Sequence, residues 1–230
     1  GVGSMHPEEM RATVIRERAA VGVAFDGAAD RLLMADEEGR LLDGNALMSI
    51  LARDLLERDA LPHKTIATTI MANGGLQRAL DPYGAKVIWT NVGDRWVVDA
   101  MRENGISLGG EPSGHLVLLE HNTTGDAAIA ALQVLAIMLR RDQPLSVLAS
   151  AYQPMPEAHA NVKLDGGKRP SEEALGQILS EAEEQIAGAG RVVIRPSGTE
   201  PLVRVMVQHE ARRTAENLAK ELAGKVSALK

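Results

Sequence analysis

The chain contains no cysteine, which excludes disulfides, thiolate metal sites and cysteine nucleophiles and permits a reducing cytoplasm. Aromatic residues are scarce: one Phe, two Trp and two Tyr. So few rings leave no stacking platform for bases or extended glycans as the main binding device, and the core must be built from Leu, Val, Ile, Ala and Met. Long hydrophobic runs are missing too. Nothing approaches the roughly 18 consecutive apolar residues that cross a bilayer, and the N-terminus lacks the charged-then-apolar pattern of a secretion signal. Nor is positive charge in excess. A balance of 25 Lys and Arg against 31 Asp and Glu, a formal net charge of -6, argues against a broad nucleic-acid surface, because such binding is mostly phosphate neutralisation by basic side chains. The expectation is a soluble, cytoplasmic protein with neither nucleic acid nor membrane as partner.

What is present is a chain with 45% hydrophobic residues, enough to bury a core. Gly1 to Ser4, ahead of Met5, read as a tag remnant. Residues 7–19 predict a helix with Pro7 in its first turn. Two short strands follow, 21–25 and 32–35, joined through Asp26-Gly27, with Leu41-Leu42 beyond the next turn. From 44 to 59 the apolar positions Leu47, Ile50, Leu51 and Leu55 recur at the helical period. Thereafter strands (65–70, 86–90) alternate with helices (75–80, 97–104), the pattern of an α/β layered domain spanning roughly 43–150. Its last long element, 126–141, is apolar enough to predict a largely buried helix. Pro144, Pro154 and Pro156 then break the pattern. Beyond them come a strand (160–164), a polar loop with Gly166-Gly167, a helix (171–187), strands (191–194, 202–208) and a helix (214–228), which together suggest α+β.

Three loops carry chemistry. Asp26-Gly27-Ala28-Ala29-Asp30-Arg31 lies between two strands, and two carboxylates four apart on a tight turn can converge on a hard cation. A polar hairpin turn with an adventitious Asp pair would look the same. Gly109-Gly110-Glu111-Pro112-Ser113-Gly114-His115 combines glycines that admit a ligand to the backbone with a carboxylate and a hydroxyl suited to sugar hydroxyls. It too can be read as a plain turn, and His115 as a histidine satisfied at a strand start. Arg195-Pro196-Ser197-Gly198-Thr199-Glu200-Pro201 offers a guanidinium fork, hydroxyls and exposed N–H groups to an oxyanion, with Arg204 further along. The plain alternative is a rigid Pro-bracketed turn. Together the loops supply a cation site, a polyol site and a phosphate site, the set a sugar-phosphate enzyme requires.

From about His6 to its end the chain resembles the α-D-phosphohexomutase superfamily, which orders its metal, sugar and phosphate loops in this way. Within it Val92-Gly93-Asp94-Arg95, the 109–115 loop and Asn122-Thr123-Thr124-Gly125-Asp126 look like the phosphoglucosamine mutase branch more than the phosphomannomutase/phosphoglucomutase branch. The resemblance implies an α/β fold: a phosphohexomutase-type layered domain followed by a smaller α+β C-terminal domain. It divides the chain into 1–42, the tag remnant and tail of a second domain with the metal loop; 43–153, a third domain with the sugar loop; and 154–230, a fourth with the phosphate loop. The activity implied is interconversion of glucosamine 6-phosphate and glucosamine 1-phosphate through a phosphoserine and a bisphosphorylated sugar, with Mg²⁺ as cofactor. By the same resemblance Asp26 and Asp30 would bind metal and Arg31 would neighbour the transferring phosphate. Glu111 and Ser113, with His115, would hold the sugar. Arg195, Ser197, Gly198 and Thr199 would bind the distal phosphate, Arg95 and Arg204 adding positive lining.

Two departures stand out. Ala28 occupies the place of a third family aspartate, removing a ligand and a charge from the Mg²⁺ site. No serine lies in a context matching the family's phosphoserine loop, so the polypeptide alone is expected to be inactive. Its expected partners are a sugar phosphate, the N-terminal domains of the same protein, and a second copy in a homodimer. A non-catalytic sugar-phosphate-binding protein and a phosphomannomutase or phosphoglucomutase are the competing readings.

Overall fold

A computed structural model describes residues 3–164, 169–197 and 200–229. The chain forms two compact units, Gly1–Gln153 and Pro154–Lys230. Among the described residues no helix is long and apolar enough to cross a membrane.

The first unit opens with helix α1 (Glu8–Glu17) packed on an antiparallel sheet of β1 (Val21–Phe25), β2 (Leu32–Asp36) and β3 (Leu41–Leu42). Asp43 then caps helix α2 (Gly44–Glu57), its carboxylate accepting from Ala46 N at 3.0 Å. The chain continues through β4 (Thr65–Thr69), α3 (Gly75–Leu80), β5 (Lys86–Thr90), α4 (Asp94–Glu103), β6 (Leu108–Gly110), β7 (Leu116–Leu118), α5 (Ala127–Arg141) and α6 (Leu145–Ala149). The second sheet has the order β5-β4-β6-β7, with β4 parallel to both neighbours and β7 antiparallel to β6. Alternation sorts its side chains into two layers. Ile66, Leu108 and Leu116 join Leu47, Ile50 and Leu51 of α2 and Val134 and Ile137 of α5, while Ala67 and Val117 meet Val97 and Met101 of α4 on the other face.

The second unit is an antiparallel sheet of β8 (Glu157–Lys163), β9 (Gly190–Pro196) and β10 (Leu202–His209), in the order β8-β10-β9, with helices α7 (Glu172–Ile186) and α8 (Arg212–Ser227). Val162, Val192, Val203, Val205 and Val207 face Leu175, Ile178, Leu218 and Leu222 of the helices. Register sets Arg204 opposite Arg195, so both cations share the face turned away from that core.

Three expectations need correction. Helix α4 begins at Asp94 rather than 97, because Gly93, at φ +129°, turns the chain directly into it. The loop expected at Arg195 starts two residues later, since Arg195 and Pro196 still pair with β10. Helix α5 is only half buried: Ala127, Ala130, Ala131, Val134 and Ile137 meet the core, whereas Leu132 and Leu139 are 63% and 83% exposed. A helix of period 3.6 presents one face to the layer beneath it, and apolarity all round does not bury the other. Helix α6 had no periodic signal in so short a segment.

Candidate functional site

The hairpin loop 111–115 joins β6 to β7 and is closed by Glu111 N–H donating to His115 O at 2.8 Å and Gly114 N–H to Glu111 O at 3.0 Å. It is clamped from outside as well. Gly44 N–H, at the start of α2, donates to Pro112 O at 3.1 Å, and Leu32 N–H, at the start of β2, donates to Gly114 O at 2.9 Å. A further bridge pairs Arg31 with His115. The loops containing Asp26 and Glu111 are therefore brought together by backbone pairing.

Within this frame Glu111 is held at both oxygens: Gly93 N–H donates to Oε1 at 3.1 Å and Ser113 Oγ to Oε2 at 3.2 Å. The carboxylate is oriented yet keeps lone pairs free for a polyol. His115 is buried, with Nδ1 donating to Asp30 Oδ2 at 3.1 Å and Nε2 without a partner among the described residues. Gly125 makes this burial possible, because a Cβ there would fall 2.4 Å from Cε1 and Nε2 of the ring. The 122–126 segment is itself anchored: Asp126 N–H reaches Leu116 O, Ala127 N–H reaches Ala29 O, and Asp126 caps α5 through Ile129 N–H.

In the 26–31 loop Asp26 Oδ1 accepts from the N–H groups of Asp30 and Arg31, both at 3.2 Å. Desolvation pushes the Asp26 carboxyl up, but the Arg31 N–H, the contact with Asp30, the Asp30 N–H and the Arg31 charge outweigh it and hold the carboxyl below its ordinary value. Arg31 points an exposed guanidinium outward. As a Mg²⁺ site the donor set does not fit. Hard cations need six or so oxygens with carboxylates among them, and here Asp26 is engaged by the turn, Asp30 by His115, and Ala28 contributes nothing. Among the described residues no group of three or more His, Cys, Asp or Glu could hold a metal. Substituting Ala28→Asp is accordingly expected to tighten Mg²⁺ binding by about tenfold or more, measured by calorimetric titration of the metal into each chain. Equal affinities would show that position 28 has no part in cation binding.

In the second unit Ser197 is 2% exposed, its N–H donating to Leu202 O at 2.8 Å and its Oγ accepting from Glu200 N–H at 3.3 Å. Arg169 reaches Ser197 O at 3.3 Å. Burial and then the charge of Arg204 push the Arg195 guanidinium down from its ordinary value, and among the described residues its buried Nε has no partner. Arg204 pairs with Glu200. A guanidinium pushed down by burial and by a neighbouring cation is what a dianion would relieve. Gly198 and Thr199, expected to belong to this loop, lie outside the described residues, as does Gly166-Gly167. Arg95 is 84% exposed and pairs with Asp99 at 3.5 Å. Sequence reasoning missed Arg169, Gly93 as the donor to Glu111, and Gly125 as the space for His115. For Gly125 the tight Thr-Gly-Asp run was a signal; for Arg169 there was none.

Two family models cover most of the chain. The phosphoglucomutase/phosphomannomutase alpha/beta/alpha domain III matches residues 43–155 and the phosphoglucomutase/phosphomannomutase C-terminal domain matches 158–225. The chain belongs to this phosphohexomutase family. Its relatives include the phosphoglucosamine mutase of Anaeromyxobacter dehalogenans, 49% identical over 226 residues that make up 96% of this chain and 49% of the relative. That of Myxococcus xanthus is 44% identical, over 98% of this chain and 49% of its own length. The chain thus spans about half the length of the curated relatives it matches. Among solved structures, Aspergillus fumigatus N-acetylphosphoglucosamine mutase in complex with GlcNAc-6P and magnesium superposes with a TM-score of 0.71 at 23% identity, covering 90% of this chain and 48% of that one. A phosphoglucomutase/phosphomannomutase family protein from Burkholderia thailandensis gives 0.76 at 20% identity, with 99% and 51% covered. At those identities the likeness speaks for the fold.

Proposed function

We propose that the chain supplies the sugar- and phosphate-recognition loops of a phosphoglucosamine mutase, the enzyme that interconverts glucosamine 6-phosphate and glucosamine 1-phosphate through a phosphoserine and a bisphosphorylated sugar. The observation that carries this reading is Glu111, a carboxylate fixed at both oxygens and clamped beside the Asp30–His115 pair. Phosphoryl transfer depends chiefly on positioning and on stabilising spread-out negative charge. Glu111 and Ser113 would orient the sugar hydroxyls, Arg195 with Arg169 and Ser197 would hold the phosphate not being transferred, and Arg31 would face the one that is. Arg204, already paired with Glu200, adds positive field. Mg²⁺ in such enzymes neutralises phosphoryl charge; with Ala28 in place this chain's own loop is expected to hold it weakly.

We place the protein in the cytoplasm, where the sugar phosphates would be met, and take segments 1–42, 43–153 and 154–230 as the tail of one phosphohexomutase domain and two further domains. The whole enzyme's remaining domains, and a second copy of the chain, are its proposed macromolecular partners. Because no serine here sits in a phosphoserine-type loop, the chain is expected to bind without turning over substrate. Ala28 favours a second reading, a sugar-phosphate-binding protein without catalysis, which differs in what the longer protein does rather than in these loops.

Calorimetric titration of glucosamine 6-phosphate is expected to give saturable binding, weakened at least about tenfold by Arg195→Ala and by Glu111→Ala, since each removes a charged hydrogen-bonding group worth roughly 1.5–3 kcal/mol. Absence of saturable binding, or indifference to both substitutions, would count against the assignment of these loops.

A further inference from the structure

Of the two tryptophans, Trp96 leaves half of its surface exposed, and Val92, before Gly93 in the chain, is 43% exposed. It stands in the first turn of α4, with its N–H donating to Gly93 O at 3.1 Å, and its indole Cδ1 lies 3.5 Å from where a Gly93 Cβ would be. Gly93 N–H is the very group that holds Glu111 Oε1 at 3.1 Å. Allowing for the span of one residue between N and Cβ, the indole edge is within about 9 Å of the Glu111 carboxylate. One hexose ring can touch both.

Two carboxylates, Asp94 and Glu111, lie near this ring, and the adjacent cation, Arg95, is turned to Asp99. Asp94, in the same turn, spends one oxygen on Arg95 N–H at 2.8 Å, and Glu111 is tied to that turn through Gly93 N–H. Among the described residues no cationic side chain pairs with either carboxylate, since Arg95 is engaged with Asp99. The N-terminal end of α4 contributes roughly half a positive charge, which two carboxylates outweigh. A half-exposed indole near two carboxylates that pair with no cation among the described residues suits a cation, which the ring quadrupole attracts at its face.

We propose that Trp96, assisted by Asp94 and Glu111, receives the ammonium group of a 2-amino sugar phosphate and so sets the preference for an amino sugar over its hydroxyl analogue. This rests on the sugar-phosphate reading above. Trp96 is a specificity residue here, the sugar hydroxyls and the phosphate being held by other groups.

The test is titration of the 230-residue chain with glucosamine 6-phosphate and with glucose 6-phosphate, near neutral pH and again above the pKa of the sugar amine. The unmodified chain is expected to prefer the amino sugar by about fivefold, the measure of one cation–π contact at a half-exposed ring. That preference should vanish at the higher pH. Trp96→Ala should abolish it while leaving glucose 6-phosphate affinity within about twofold, and Trp96→Phe should keep part of it. Equal affinity for both sugars in the unmodified chain, or a preference that survives Trp96→Ala or deprotonation, would overturn the proposal alone. If neither sugar phosphate binds, the underlying reading falls and this one with it.

Discussion

Replacing Gly114 by Ala is expected to destabilise the first unit by about 3 kcal/mol and to remove its sugar-phosphate binding. Gly114 sits at φ +90°, a region L side chains rarely adopt, and a Cβ there would fall 2.0 Å from Leu32 O. The atom in the way is backbone on β2, which cannot swing aside. Positive-φ strain of order 1–3 kcal/mol adds to the displacement of a packed neighbour, of similar size. The displaced group matters beyond stability, because Gly114 O accepts from Leu32 N–H and Gly114 N–H donates to Glu111 O. Shifting the loop would release Glu111 and His115 together. Both tryptophans, Trp89 and Trp96, belong to this unit, so fluorescence-detected urea unfolding reports on it. Gly27→Ala, with nothing within 4 Å of its added Cβ, should stay within about 0.5 kcal/mol of the parent. A Gly114→Ala chain of unchanged stability and affinity would show that the loop is not clamped as described.

Asp54→Ala is expected to lower the stability of the same unit by about 3 kcal/mol, with the urea midpoint falling and the slope unchanged. The Asp54 side chain is 6% exposed and lies among three guanidiniums: Arg58 at 2.9 Å, Arg140 at 2.7 Å and Arg141 at 3.4 Å. Glu57 takes a second share of Arg141 at 2.6 Å; burial pulls the Arg141 guanidinium down, but these two carboxylates outweigh it and hold the guanidinium above its ordinary value. Deleting the carboxylate leaves a cluster of positive charge tying α2 to the end of α5. Deleting one arginine does far less. Arg58 and Arg140 are 49% and 43% exposed, where each pair is worth about 0–1 kcal/mol. Arg58→Ala or Arg140→Ala matching the loss from Asp54→Ala would show the buried carboxylate is not the organising charge.

Much of this was legible beforehand because it is local. The Asp26-Gly27 turn marks a loop whatever surrounds it, and the apolar period of 44–59 identifies α2 without reference to its neighbours, whereas Gly109-Gly110, expected in the loop, belongs to β6. Two of the misreadings share one cause. Periodicity reports how a segment can fold upon itself and is silent about which of its faces meets another segment, so the outward Leu132 and Leu139 of α5 looked buried and Arg195 looked like loop when β10 extends it as strand.

By itself, then, the sequence determined the order of most strands and helices, which residue types each candidate loop carries and the absence of a carboxylate at position 28. Only the tertiary structure decided that Asp30 meets His115 across 85 residues, that Gly93 orients Glu111, that Gly125 roofs His115 and that arginines from two helices close on Asp54. Such contacts are set by strand register and layer packing, energies shared among many residues distant in the chain, which no short stretch of sequence encodes alone.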